Sequence, residues 1–327
     1  MTSRKTPKRA SARSDSDCRA FLSPSNEVRR GKALWVATTR WLGAFAAIAS
    51  LGASSQAHAA TAADQLYERT LMTSADARCR LFKPAVGSAL DAARAQARGA
   101  TLRSGVSEVR VQAVEQRARA KAGAAACGSK DLQTAAGRVR QAFDGYSTML
   151  RTTYPGDRAT WQADRSVSAT IAVWRLSQPA GFGRDRLMFG LSGRANDMLA
   201  VATFADNAQP YTARLVLRDT LRTQGPYLNA RNAKGLAANA APRNASRVFG
   251  AETRDTAPVT LLPTGAKTGL SFRFPREAAD AMSRLDPREA ATVEFVFTSR
   301  SGQETVRRAY VEVGDFAAGR AFLRSGG

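Results

Sequence analysis

Residues 129–157, SKDLQTAAGRVRQAFDGYSTMLRTTYPGD, contain the point at which the hydrophobic pattern of this chain changes from helical to extended. Up to Leu150, apolar residues recur at steps of three and four, which is the spacing of one helix face. Tyr154-Pro155-Gly156-Asp157 is a turn signature, and beyond it apolar and polar residues alternate. The sequence therefore predicts an α+β fold in which a helical segment precedes a β-rich segment.

The helical segment is predicted to span residues 60–153 as a four-helix array. This segment is rich in Ala, Arg, Gln and Leu, which are residues that favour helices. The predicted helices run from about 63 to 82, from Pro84 to a weakening at Gly99, from beyond Ser104-Gly105 to near Cys127-Gly128, and from the N-cap Ser129 onward.

The β-rich segment is predicted to span residues 158–327 as an antiparallel, β-sandwich-like domain with two short helices. Period-two alternation predicts strands at 168–178, 186–192, 199–204, 212–219, 270–274, 293–297 and 305–313, with helices at 276–285 and 316–323. Residues 223–257 contain few apolar side chains, so we expect a long loop there, although residues 246–249 also fit a strand.

The N-terminus carries the pattern of an export signal. Basic residues up to Arg40 precede an apolar run of 14 residues, and the small residues Ala57 and Ala59 follow. This pattern predicts a signal peptide at residues 1–59, cleaved after Ala59. Because a spanning helix needs about 20 residues, we expect no transmembrane segment in the mature chain. The expected location is periplasmic or secreted.

Two details of export stay open. Arg29-Arg30 allows twin-arginine export beside the general secretory route, although Gly31 and Lys32 follow where apolar residues would be expected. The region before the apolar run is also long, so the true start codon is open as well.

Cleavage after Ala59 would remove the only histidine, His58, and one of three cysteines, Cys18. A mature chain without histidine excludes a Ser-His-Asp triad, a Cys-His pair and a His-ligated zinc. The remaining cysteines, Cys79 and Cys127, allow one intramolecular pairing, and an oxidising compartment favours a disulfide between them. We expect no metal site and no cofactor.

The chain is strongly basic, with 49 Lys and Arg against 27 Asp and Glu. Residues 1–59 hold 10 of the basic and 3 of the acidic residues, which leaves the mature chain near +15. Such a charge attracts polyanions and anionic membrane surfaces. Because export would separate the protein from nucleic acid, we expect no nucleic-acid partner and consider anionic envelope polymers or lipid phosphates instead. The oligomeric state is not indicated.

The densest basic neighbourhood is a candidate anion-binding site. It comprises Arg214, Arg218 and Arg222, in or just after a predicted strand, together with Arg231 and Lys234 in the long loop. The planar guanidinium fork can make two charge-assisted hydrogen bonds to a phosphate or carboxylate. An ordinary solvated strand face is the alternative interpretation of the same arginines.

A pair of carboxylates is the catalytic device left to a chain without histidine. Asp185, Asp197, Asp206 and Asp219 lie at predicted turns or strand edges, where Asp is common without any catalytic role. Gly181-Phe182-Gly183-Arg184 lacks the context of a phosphate-binding loop and is expected to be a turn. We therefore predict an exported, non-enzymatic envelope protein of binding or structural role. The alternative is a cell-wall glycan hydrolase that uses a carboxylate pair.

Overall fold

Four helices form the N-terminal part of the structure. The computed structural model describes residues 53–228, 235–299 and 301–325, with side chains from residue 62 onward. The helices are α1 (Ala53–Cys79), α2 (Pro84–Arg103), α3 (Glu108–Ala124) and α4 (Lys130–Ser147). All four predicted helices are present, and α2 continues beyond Gly99 to Arg103, because Ala100, Leu102 and Arg103 favour helix and Leu102 is buried.

Cys79, at the end of α1, and Cys127, just after α3, form the predicted disulfide, with their Cα atoms 5.5 Å apart. The helices bury small apolar clusters that contain several alanines. Leu66 and Leu102 are fully buried in one cluster, and Met72 and Leu132 belong to another. Because alanine removes little apolar surface from water, the disulfide supplements a modest helical core.

Two antiparallel sheets follow the helices. The larger has seven strands in the order β1-β2-β3-β4-β5-β9-β8, and the smaller has four in the order β11-β10-β6-β7. The first six strands are β1 (Arg151–Pro155), β2 (Thr160–Asp164), β3 (Trp174–Phe182), β4 (Asp185–Ser192), β5 (Asp197–Thr203) and β6 (Thr212–Arg218). The others are β7 (Ser246–Gly250), β8 (Thr253–Thr256), β9 (Leu270–Phe274), β10 (Ala290–Thr298) and β11 (Glu304–Glu312). Two short helices, α5 (Arg276–Met282) and α6 (Phe316–Arg324), complete the fold.

The predicted helix-to-strand switch is present, and the structure is α+β with the helices first. The first strand nevertheless begins at Arg151, before the predicted turn, and Gly156 lies in the turn that joins β1 to β2. Pro155 is tolerated in β1 because this strand lies at the sheet edge.

Two strand predictions differ from the structure. The strand predicted at 168–178 starts only at Trp174, because Ile171 is about half exposed and Val167 is exposed, so neither is a core position. Residues 223–257 are not one continuous loop, since β7 and β8 lie inside this segment. β7 shows little alternation of apolar and polar residues, because it buries only Phe249 although its backbone pairs with β6.

Aromatic side chains join the two sheets into one core. Phe295 of β10 stacks on Phe182 of β3 at a centroid distance of 5.4 Å. The Phe295 ring also meets Phe272 of β9 at 5.5 Å and Phe204 at 5.3 Å. Because Phe295 belongs to one sheet and Phe182 and Phe272 to the other, facing side chains of the two sheets share this core.

The helical segment is attached to the β-rich segment by buried contacts. Helix α2 packs along α6. The Arg165 guanidinium lies 3.7 Å from the centroid of Phe322 and 4.9 Å from that of Tyr146. It donates hydrogen bonds to the carbonyl oxygens of Tyr146 and Phe322, near the C-termini of α4 and α6. The Arg165 guanidinium therefore donates to carbonyl oxygens near the C-termini of two helices, one in the helical segment and one in the β-rich segment.

The predicted signal lies mostly outside the described residues. Residues 1–52 are not described, and α1, which begins at Ala53, includes Ala57 and Ala59 in its backbone. Cleavage after Ala59 and the division into two domains stay predictions. Across the part of the chain that the structure describes, none of the helices combines the length and apolar character needed to cross a bilayer.

Candidate functional site

The predicted basic neighbourhood is divided among different partners. Arg218 is buried and makes a two-pronged ion pair with Glu289, with Nε–Oε1 and Nη2–Oε2 distances of 2.5 Å and 3.0 Å. Arg214 Nη2 lies 3.5 Å from Oε2 of Glu304, which is on β11 of the same sheet. Arg218 is therefore committed to holding the loop before β10 rather than open to a ligand.

The other predicted cations lie elsewhere. Arg222 is exposed and lies 3.6 Å from Asp219. Arg231 and Lys234 fall in the segment 229–234, outside the described residues. The structure thus does not bring Arg214, Arg218 and Arg222 to one ligand-sized site, and the five-residue site stays a prediction.

A cavity of about 770 Å³ lies instead between α2, α6, the end of α5 and the turn after β6. Its volume falls within the range of roughly 300–1,000 Å³ that is typical of small-molecule sites. Five of its lining residues are arginines: Arg94, Arg98, Arg284, Arg320 and Arg324. This surface is called the α2–α6 cavity below.

Helical spacing explains how the arginines come together. Arg94 and Arg98 are four positions apart on α2, and Arg320 and Arg324 are four apart on α6. Residues at this spacing share one helix face, so each helix contributes two arginines to the same cavity. Arg284 follows α5 and provides the fifth.

Three of these guanidinium groups have donors to spare. Within residues 53–228, 235–299 and 301–325, the side chains of Arg94, Arg284 and Arg324 make no hydrogen bond. Arg94 lies 3.5 Å from Asp91, and its Nε is buried without an acceptor. Because this Nε is enclosed by protein, the donors open to an anion are those of the exposed Arg284 and Arg324 and the terminal nitrogens of Arg94.

The other two arginines are held by acidic partners. Arg98 pairs with Glu108 and lies 3.4 Å from Glu115. Arg320 lies 2.6 Å from Asp280 and donates a 3.2 Å hydrogen bond to Ser283 Oγ. Their charges are offset by these carboxylates, and their geometry is set by the protein.

Asp315 lines the α2–α6 cavity and is neutralised by Arg103. The Asp315 side chain is about 1 % exposed, and Arg103 donates two hydrogen bonds to it. Burial lowers the pKa of Arg103, but the hydrogen bonds and negative charge of Asp315 outweigh burial, and the pKa is raised. Burial also raises the pKa of Asp315, and the hydrogen bonds and charge of Arg103 oppose that rise. Because Arg103 contacts both carboxylate oxygens, Asp315 offers little repulsion to an anion in the cavity.

A second cavity, of about 580 Å³, lies at the turn between β3 and β4. Gly183 adopts φ +67°, and Gly183 and Arg184 form the tight turn, whereas Gly181 and Phe182 are the last residues of β3. Arg307 binds both Asp185, at 3.0 Å, and Asp206, at 2.5 Å. Hydrogen bonds from Arg307 lower the pKa of Asp206 to about 2.

These two carboxylates are the pair that bears on the hydrolase alternative. A general acid must be protonated at its working pH, and the lowered pKa of Asp206 keeps it ionised. Asp197 begins β5 and Asp219 follows β6 at separate places. In the described part of the chain, no cluster of three or more His, Cys, Asp or Glu side chains could hold a metal ion.

Comparisons with family models, with characterised proteins and with solved structures found no match to this chain.

The arginines of the α2–α6 cavity were not singled out from the sequence because they come from three distant segments. The signal that could have found them is the four-residue spacing of arginine on two Ala-rich helices. Thr220 and Leu221, which line the cavity, lie between the predicted site residues Arg218 and Arg222. The predicted anion-binding residues Arg218 and Arg222 therefore lie next to the α2–α6 cavity but do not line it.

Proposed function

We propose that this chain is an exported, non-enzymatic protein of the cell envelope that binds an anionic ligand in the α2–α6 cavity. The observation that carries the proposal is the set of three arginines, Arg94, Arg284 and Arg324, whose side chains line one cavity without hydrogen-bond acceptors. The export pattern and the net charge of the sequence support a periplasmic or secreted location and anionic envelope components as ligands.

Arginine suits this role for two reasons. Its guanidinium group stays protonated at all physiological pH values, and its planar fork matches the oxygen atoms of a phosphate or carboxylate. A charge-assisted hydrogen bond contributes about 1.5–3 kcal/mol when its partners are shielded from water. Arg284 and Arg324, which have no acidic partner among the described residues, can therefore hold an anion together with Arg94, whose one acidic contact is Asp91 at 3.5 Å.

The test is a thermal-shift titration of the full-length protein with inorganic phosphate at constant ionic strength. A ligand at ten times its Kd stabilises the folded state by about 1.4 kcal/mol. We expect Arg284→Gln and Arg324→Gln each to raise the Kd about tenfold. Arg117→Gln is the matched control. Arg117 is exposed on α3, outside the cavity, and its substitution removes the same charge. Equal shifts in all four proteins would contradict the proposal.

The hydrolase alternative keeps one supporting observation, the shared contact of Asp185 and Asp206 with Arg307. Its test is release of soluble sugar from purified peptidoglycan by the wild-type protein and by Asp185→Asn. Activity that the Asn variant abolishes would favour the enzyme. We favour binding because Arg307 holds both carboxylates in hydrogen bonds, which leaves neither of them free to act as a general acid.

A further inference from the structure

The α2–α6 cavity combines its arginines with an apolar lining. Small or apolar residues line it beside the charged groups: Ala95, Leu285, Pro287, Ala317, Ala318 and Ala321. Ala317 and Ala321 are four positions apart on α6, beside the arginines of the same helix. The small side chains leave the space, and the arginine side chains provide the charge.

One exposed apolar side chain adjoins this lining. Leu221, in the turn after β6, lines the cavity and is 88 % exposed. A ligand whose hydrocarbon covers this exposed leucine would bind more tightly, because apolar surface is removed from water. An inorganic ion offers no such surface.

We propose that the ligand is an amphiphilic anion, with one phosphate or carboxylate head and a single apolar chain. The inference rests on the proposed function, since it assigns the head to the same arginines. Arg94, Arg284 and Arg324 supply donors for the head, whereas Leu221 and the half-buried Ala95 and Ala317 supply surface for the chain. Neither a sugar polymer nor a bare ion would use both parts of the lining.

The first experiment compares three probes on the full-length protein by titration calorimetry: inorganic phosphate, decyl phosphate below its micelle concentration, and decyltrimethylammonium. We expect decyl phosphate to bind at least about tenfold more tightly than phosphate, because partial burial of its chain adds apolar contact. We expect the cationic amphiphile not to bind the cavity, because the arginines repel it.

Two kinds of variant separate the head from the chain. Arg284→Gln with Arg324→Gln should weaken phosphate and decyl phosphate by a similar factor. Leu221→Ser should weaken decyl phosphate several-fold and leave phosphate binding unchanged. Because Leu221 is exposed, its substitution is not expected to affect folding, and the melting temperature checks this.

The outcomes distinguish the two proposals. If binding depends on the arginines but phosphate and decyl phosphate bind with equal affinity, the proposal of an amphiphilic ligand is wrong. The proposed function, binding of an anion in the cavity, would still stand. Binding of decyl phosphate that ignores the arginine substitutions overturns both, since it shows unspecific partition of a surfactant. Absence of binding by either phosphate also overturns both.

A vesicle experiment identifies the source of the ligand. Vesicles of phosphatidylcholine with and without lysophosphatidic acid, a single-chain phosphate lipid, are sedimented with the wild-type protein and with Leu221→Ser. Binding that needs lysophosphatidic acid and Leu221 supports a membrane lipid as the source. Binding of decyl phosphate in solution without vesicle binding supports a free single-chain amphiphile.

Discussion

Arg103 and Asp315 lie 212 positions apart in the sequence and form a bidentate ion pair with N–O distances of 2.7 Å and 2.8 Å. The pair joins the end of α2 to the start of α6. Gly99 permits the approach, because a Cβ atom at this position would collide with Asp315 Oδ1. The α2–α6 cavity lies beside this ion pair, which links the two helices that carry four of the cavity arginines.

Removing Arg103 should destabilise the fold. Arg103→Met leaves the buried Asp315 carboxylate without its partner, which typically costs about 3–5 kcal/mol. Urea denaturation measures the change in unfolding free energy. Arg119→Met is the control, because Arg119 is half exposed in its pair with Glu115 and should cost less than about 1 kcal/mol. Equal midpoints for the two variants would contradict the prediction.

Glu312 should be a second point of sensitivity. Its buried carboxylate accepts backbone hydrogen bonds from Asp157, Arg158 and Ala159 at 2.6, 2.9 and 2.7 Å, and so fixes the β1–β2 turn. Glu312→Gln removes the charge and should lower the unfolding free energy by about 2–3 kcal/mol. Faster amide exchange at 157–159 is the expected local sign. The control is Glu304→Gln at a half-exposed position, and unchanged exchange at 157–159 would argue against this role for Glu312.

Loss of the disulfide should weaken the helical segment. Replacing Cys79 and Cys127 by serine frees a loop of 48 residues in the unfolded chain, at a cost of about 2–4 kcal/mol. The measurement is urea denaturation of the wild-type protein with and without reductant, beside the double variant. Reduced wild type and double variant should have the same midpoint. A midpoint unaffected by reduction would show that the bridge does not support the fold.

Asp206 should titrate near pH 2. Hydrogen bonds from Arg307 depress the pKa of Asp206 to about 2 in the folded state, below its ordinary value of about 4. The contribution of this pair to stability is therefore complete above about pH 4 and is lost as the pH falls through about 2. Carbon-13 NMR of the carboxyl group measures the midpoint. Arg307→Gln should move it towards 4, and a midpoint near 4 in the wild type would contradict the prediction.

Processing should produce a chain that begins at Ala60 and contains no histidine. Intact mass spectrometry of the protein recovered from the periplasm, with and without reduction and alkylation, measures this. We expect the cysteines to resist alkylation until they are reduced. A full-length mass with freely alkylated cysteines would contradict export and would return nucleic acid to consideration as a partner.

Local patterns predicted much of the secondary structure. The steps of three and four in α4 and the alternation of Ala213, Leu215 and Leu217 in β6 follow from burial of one face, and all three β6 residues are buried. The pairing of Cys79 with Cys127 was predicted because only these two cysteines follow the predicted signal peptide. β7 was less certain because a strand that buries one side chain leaves little periodic signal.

The α+β class, the helix-to-strand order and the disulfide pairing can be predicted from the amino-acid sequence, because each depends on local spacing or on a count of residues. Which arginines share a cavity depends instead on how distant elements pack. Arg218 of the predicted basic site is buried against Glu289, whereas Arg94 and Arg324 line one cavity although they are far apart in the chain. Charge density along the sequence does not report this, since the partner that neutralises each cation is chosen by packing between distant elements.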